Sequence, residues 1–477
     1  MNILPYDPAN GAKFWEAIRK LPGYPAHEIM PIQHMIFESG ALFKTTEILK
    51  SVGAHQDKAL VVVMDETSKL RNGDDLKSQA LETLRKEGWQ VRVCSMPADE
   101  SGQVHTDMPH IQMVQKSLSS GCAVLSIGSG VVTDIAKHGC FLYQQETGGK
   151  VPFVVYQTAN SVSAYTSNMS PTFVDGVKRT LDSRYPDALI CDLETLRDAP
   201  MEMTVGGVGD MLAVFVSLPD WYLAHRLGMD STYSELAKNL VGPLDELLLE
   251  HAQGIRSGNM ESVAMLAKII ALGGLAMSLS HATTPMSGFE HVMSHVLDLQ
   301  AEIERTPLAV HGSQVALATL VGAEMYRRFL SELNPLSLNL EACYPTMDSM
   351  KVRIESGFAE IDPTGKAGAE CWADYSQKLE KWHAQRKDFE DVLKDWSSVR
   401  TLLEGETRSP EMIQKILQAV EAPTRWSQLN PPITNKRARF AFMHASLMRK
   451  RLTLGDLLIF TGWDRETLWN NIWKDCA

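Results

Sequence analysis

The chain has 477 residues, 44% of them hydrophobic and 22% charged. That is the balance of a soluble globular protein with room for two or three domains. A formal net charge of −12 argues against general nucleic-acid binding.

In chain order, the N-terminal "MNILPYDPANGAKFWEAIRK" lacks a basic segment followed by an apolar run. It therefore predicts no secretory leader, and the cytoplasm is the expected compartment. Seven cysteines, at 94, 122, 140, 191, 343, 371 and 476, form no CxxC pair. They predict free thiols rather than a disulfide framework. From about Pro31 to Asp192 short apolar runs alternate with helical patterns. "ALVVVMD" (Ala59–Asp65) is a β-branched run suited to a strand buried on both faces. "DDLKSQALETLRKEGW" is helical, "QVRVCSM" a second strand, and "HIQMVQKSLSSG" a helix ending on glycine. "CAVLSIGSG" is a third strand, "VVTDIAKHGCFLYQQ" its helix, and "VPFVVYQTA" a further strand. This βα alternation predicts a parallel, doubly wound sheet.

From about Pro200 onward strand patterns vanish and long helical segments follow. "SVAMLAKIIALGGLAMSLS" is apolar but holds Lys268 and two glycines, which suits a core helix better than a membrane span. Residues 334–430 are more polar and broken by Pro, Gly and Asp, as in an insertion of helices and loops. A basic cluster near the end (Lys436, Arg437, Arg439, Arg449, Lys450, Arg451) reads as a solvated helix face, with a local anion site as the alternative. The expected organisation is an α/β N-terminal Rossmann-like parallel-sheet domain over 1–200 and an all-α domain over 201–477.

Three places carry chemistry. "SIGSGVVTDIAK" puts Gly128, Ser129 and Gly130 where a strand becomes a helix. Free N–H groups and the helix dipole favour a pyrophosphate there. The spacing departs from G-x-G-x-x-G, so a tight turn without a ligand is the alternative. Asp65 ends a strand, where an acid accepts ribose hydroxyls or caps the next helix. Asp210, His291 and His311 come from three helical segments. Taken singly each suits a cap or a core residue. One carboxylate with two imidazoles suits a divalent cation with open positions. In "SGFEHVMSH", His291 and His295 share a helix face at i, i+4, and Glu290 is a candidate outer partner.

These segments, with "YQTANSVSAYTSNMSP", "PDALICDLETLRDAP", "GGVGDMLA", "AVHGSQVALATL" and "HASLMRKRLTLGDLL", resemble the iron-containing alcohol dehydrogenase and dehydroquinate synthase-like superfamily. Within it the pattern is most similar to the sn-glycerol-1-phosphate dehydrogenase branch. The resemblance implies a dehydroquinate synthase-like fold and a metal-dependent NAD(P) oxidoreductase acting on a small secondary alcohol or ketone. sn-Glycerol 1-phosphate and dihydroxyacetone phosphate are the candidate pair. It implies NAD or NADP at Asp65, Gly128, Ser129, Gly130, Thr133, Asp134, Thr158 and Ser161. It assigns one divalent metal to Asp210, His291 and His311, zinc first and iron or nickel next. Substrate would meet Ser163, Ser167 and His295, with His295 a proton carrier. A homo-oligomer is implied, with no nucleic acid and no membrane insertion.

One departure stands next to the reacting centre. The family loop reads T-A-A-S-x-D-G, and here Ser163 and Ala164 replace the acid and glycine. A serine accepts weaker hydrogen bonds than a carboxylate, which leaves substrate identity open. A dehydroquinate synthase-like lyase and a non-catalytic relative are the competing readings. Absence of a D-S-S-V-G-G-K type stretch weighs against the first, and retention of all three metal candidates against the second.

Overall fold

The computed structural model describes residues 4, 6–24, 32–100, 102–174, 177–242 and 244–476. The expected start of the α/β alternation, Pro31, lies outside them. The chain forms two compact units, Met1–Met211 with Glu235–Leu279, and Leu212–Ser234 with Ser280–Ala477.

The first unit is built on a six-stranded sheet. Its strands are β1 (His34–Glu38), β2 (Ala59–Asp65), β3 (Gln90–Met96), β4 (Ala123–Gly128), β5 (Phe153–Gln157) and β6 (Ala188–Asp192). The order is β1-β6-β5-β4-β2-β3, with every pair parallel. Each of β4, β5 and β6 is buried along its whole length. Such strands present both faces to packed layers, which is why they read as continuous apolar runs. The edge strand β3 is exposed at Gln90, Arg92, Val93 and Ser95. On one side of the sheet Leu60, Val62, Leu125, Ile127, Val154 and Ile190 join a buried cluster with Leu49, Ala80 and Leu84. Four of the six strands are those expected from sequence. The other two, β1 and β6, are five residues each, and β1 is only half-buried, so it carries a weak apolar signature. An antiparallel ribbon, Met169–Val174 with Val177–Asp182, also lacks an obvious pattern.

Helix α1 (Gly130–Thr147) follows β4 directly, and α2 (Met201–Leu212) closes the first stretch of the unit. The segment Glu235–Leu279 returns to this unit. It includes most of α3 (Met260–Ser280), whose most apolar window is 83% buried. That burial makes α3 a core helix, as its Lys268 and glycines suggest.

The second unit is helical among its described residues. Helix α4 (Phe289–Glu304) and α5 (His311–Glu332) pack together at its centre. Residues 334–430 form helices that include α6 (Lys366–Ala384). Lys378 of α6 is fully buried and pairs with the equally buried Asp456 at 2.7 Å. Its ammonium also donates to the carbonyls of Ser446 and Arg451. Trp382 stacks on Phe460 with ring centroids 4.6 Å apart. The expected insertion is thus fastened to the C-terminal helices by a buried charge pair and an aromatic stack. The basic cluster is not a uniformly solvated face. Part-buried Arg451 donates to the Ser287 carbonyl and to Thr283 Oγ1, and Arg439 and Arg437 meet Glu466 and Glu304.

Candidate metal centre and nucleotide turn

The nucleotide turn lies wholly in the first unit. Ser129 takes the N-cap position of α1 without a side-chain capping bond. A Cβ on Gly128 would stand 2.3 Å from Val132, and one on Gly130 would stand 2.4 Å from Val162. Both glycines are therefore required by side-chain packing of the turn, whatever binds there. The fit to a phosphate comes from other groups. Thr133 is fully buried, Thr158 is 4% exposed, and neither hydroxyl has a hydrogen-bond partner among the described residues. Thr158 follows β5, and its N–H donates to the Gly128 carbonyl at 3.2 Å. Two orphaned hydroxyls at a helix N-terminus are what anion oxygens would satisfy.

Other candidates of the cofactor set face inward. Asp134 holds Lys137 at 2.7 Å, and that fully buried ammonium also reaches the carbonyls of Ala164 and Met169. Asp134 thus anchors the loop over α1. Ser161 Oγ lies 3.1 Å from the Tyr165 hydroxyl, which donates to the Ala159 carbonyl. Asp65 caps no helix. The next helix, Leu76–Lys86, is capped by Asp75, so that alternative is overturned. Instead both Asp65 oxygens accept from Lys69, and one also accepts from Lys77. The i, i+4 spacing of Asp65 and Lys69 is the sequence signal that could have disclosed the pair. Burial pushes the Lys69 ammonium below its ordinary pKa, and the charge on Lys77 acts in the same direction.

Asp210 is not an N-cap either. It stands inside α2, near its C-terminal end, and is 2% exposed. Its Oδ2 accepts the Ser163 N–H at 3.1 Å. Ser163 itself is buried, and Ser167 Oγ is taken by the Met169 N–H at 3.1 Å.

Three histidines gather in the second unit. His291 sits in the first turn of α4, His295 one turn on, and His311 opens α5. Ring centroids are 5.2 Å apart for His291 and His311, and 6.4 and 6.1 Å from His295 to those two. Fully buried Glu290 accepts from His291 Nδ1 at 2.9 Å and from the Gly288 N–H at 2.7 Å. A carboxylate only accepts, so Nδ1 carries the proton and Nε2 keeps its lone pair. His311 Nδ1 lies 3.1 Å from Ser294 Oγ. Gln314 completes that chain, with its oxygen on Ser294 and its amide on Asp298 and the Ala309 carbonyl. Both rings are thus held through Nδ1. Ser294, Gln314 and Asp298 were not anticipated from sequence. Their one signal is the i+3 offset of Ser294 from His291 and of Gln314 from His311.

Asp210, His291 and His311 are a set of donors that could hold a metal ion. A carboxylate and two imidazoles are hard and borderline donors that suit zinc and its first-row neighbours. Asp220 accepts from the Tyr326 hydroxyl at 2.5 Å and from the N–H groups of Phe289 and Leu454. Burial, with a further push from the charge of Glu290, raises the Asp220 carboxyl to about 7.

Comparison with known proteins follows the same lines. A family model described as iron-containing alcohol dehydrogenase matches residues 36–200. A glycerol-1-phosphate dehydrogenase [NAD(P)+] of Bacillus subtilis is 28% identical over 332 residues, covering 67% of this chain and 81% of that protein. Its counterpart in Geobacillus thermodenitrificans is 30% identical over 283 residues, 58% of this chain and 67% of that one. Among solved structures, a probable glycerol dehydrogenase from Sinorhizobium meliloti superposes with a TM-score of 0.55 at 15% identity, covering 93% of this chain and 98% of that one. Glycerol dehydrogenase from Schizosaccharomyces pombe gives 0.55 at 14%, covering 95% and 93%. At those identities the superpositions speak for the fold.

Proposed function

We infer the activity from one premise: the chain belongs to the iron-containing alcohol dehydrogenase family. It is a metal-dependent NAD(P) oxidoreductase that interconverts a small alcohol and its carbonyl counterpart. The observation that carries the metal assignment is the three-donor group of Asp210, His291 and His311. When bound, a divalent metal supplies a Lewis acid for the substrate oxygen, and the nicotinamide accepts or returns the hydride.

The protein's own part is orientation. Glu290 and Ser294 fix the two imidazoles through Nδ1, so both rings are set before a ligand arrives. The Ser163 N–H holds Oδ2 of Asp210 and so fixes that carboxylate. His295, outside the group of three, carries the proton that the alcohol loses or the ketone gains. Gly128 to Gly130, Thr133 and Thr158 cradle the dinucleotide phosphates. In this division, residues 1–200 hold the nucleotide, and 201–477 hold metal and substrate.

The substrate we propose is sn-glycerol 1-phosphate, with dihydroxyacetone phosphate as the ketone. The support is the name shared by the B. subtilis and G. thermodenitrificans relatives. Ser163 and Ser167 line its site, zinc is the metal, and the protein works as a homo-oligomer in the cytoplasm. Oxidation of NADH or NADPH by dihydroxyacetone phosphate, with and without a chelator, tests this. Chelator-sensitive net oxidation is expected. Turnover without net cofactor oxidation would instead identify a lyase.

A further inference from the structure

The end of β2 carries a charge arrangement that bears on which dinucleotide is used. Met64 of β2 is in register with Ile127 of β4, so Asp65 stands beside the glycine turn. In dinucleotide-binding sheets, an acid at such a strand end accepts the hydroxyls of the adenosine ribose. Asp65 is poorly placed for that task. An ionised carboxylate has about four acceptor sites. Lys69 takes one on each oxygen, at 2.6 and 2.7 Å, and Lys77 a third at 2.9 Å. All three side chains are close to nine-tenths buried, at 10–13% exposure.

Two ammonium groups against one carboxylate leave a net positive charge in a weakly hydrated place. The neighbouring Glu66 is exposed, so solvent screens it. Lys77 is pinned by the main-chain carbonyls of Asp65 and Thr67 as well, which fixes its position. Lys69 uses two of its three donors on Asp65, and a third remains for an anion oxygen. A ribose diol would have to donate to a carboxylate already taken by two ammonium groups and can accept only as a neutral oxygen. A ribose phosphate offers acceptors and charge.

We propose that Lys69 forms a subsite for the adenosine 2′-phosphate, with Lys77, whose three donors are already used, adding positive charge beside it, so that this protein selects NADP(H) over NAD(H). The proposal rests on the reading that a dinucleotide lies across the Gly128–Gly130 turn. In that subsite Asp65 is a positioning residue: it holds the two lysines and does not bind the ribose.

Calorimetric titration of the metal-free full chain, without substrate, tests it. The probes are NADPH, NADH, adenosine 2′,5′-bisphosphate and AMP. NADPH should bind about tenfold or more tighter than NADH, and the bisphosphate likewise over AMP. Added salt should weaken NADPH binding more than NADH binding. Lys69→Met should remove most of the preference and leave NADH affinity within about twofold. Asp65→Asn, a milder change, should leave NADH affinity in place, whereas an acid that binds the diol would lose it. Equal affinities for NADPH and NADH in the unaltered protein would overturn the proposal, as would a Lys69→Met loss shared equally by both. Binding of neither dinucleotide would remove the nucleotide-turn reading itself and the subsite with it.

Discussion

Replacing Glu290 by Gln separates metal positioning from fold stability, because the two should move in opposite directions. Glu290 is fully buried, and its Oε1 accepts from His291 Nδ1 at 2.9 Å and from the Gly288 N–H at 2.7 Å. Glutamine keeps the shape and loses the charge. A hydrogen bond to a charged acceptor is roughly twice as strong as a neutral one, and outer partners of metal-binding histidines are worth about 10–100-fold in affinity. Metal affinity should fall by that factor, about 1.4–2.7 kcal/mol. Stability of the metal-free protein should hold or rise. The Glu290 charge is desolvated, and it helps push the nearby Asp220 carboxyl up to about 7, so its removal relieves a repulsion. Zinc competition against a chromophoric chelator, run beside thermal melts of metal-free protein, reads both quantities. Unchanged zinc affinity would refute the reasoning. So would a fall in affinity matched by an equal fall in metal-free stability, because that describes a merely structural carboxylate.

Three further outcomes are expected. His295→Ala should keep its metal but lose about 10²–10⁴-fold in turnover; full turnover would remove His295 from proton transfer. Lys378→Met leaves Asp456 buried without its 2.7 Å partner, which should cost about 3–5 kcal/mol. The Lys378→Met, Asp456→Leu double variant should recover most of that in urea denaturation. Asp220 has a folded pKa of about 7 against an ordinary 3.8, so the folded chain holds a proton that the unfolded chain releases. Its stabilising share is complete below about pH 4 and is lost as pH rises through 7. Asp220→Asn should flatten that part of the stability profile, and an unchanged slope would show that another group sets it.

Much of the fold was legible because buried parallel strands and long helices leave strong periodic marks. "ALVVVMD" and "CAVLSIG" are apolar throughout because both faces of β2 and β4 are covered. His34–Glu38 was not singled out because an edge strand of five residues, four of them half-buried, has no such mark. The metal candidates were legible as residue types from three helices, and His311 does open its helix. Single positions were harder. Asp210 after glycines looks like a cap, yet those glycines lie inside α2, and position 207 is glycine because a Cβ there would meet the Asn160 carbonyl oxygen at 2.0 Å. Asp65 looked like a ribose acceptor or a cap until Lys69 and Lys77 were seen closing on it. The Lys69 contact falls at i, i+4, but the Lys77 contact spans a separation of 12 residues that no periodicity encodes. The hydrogen-bond chain from Ser294 through Gln314 to Asp298 depends on two helices lying side by side, which only the packed structure provides.

Metal analysis of the zinc-loaded protein and of Asp210→Asn, His291→Ala and His311→Ala tests the three-donor group most directly. The unaltered chain should hold a single equivalent, and each variant should lose it together with NAD(P)H-linked ketone reduction while keeping its fold by circular dichroism. A His311→Ala protein that retained both zinc and activity would contradict the assignment.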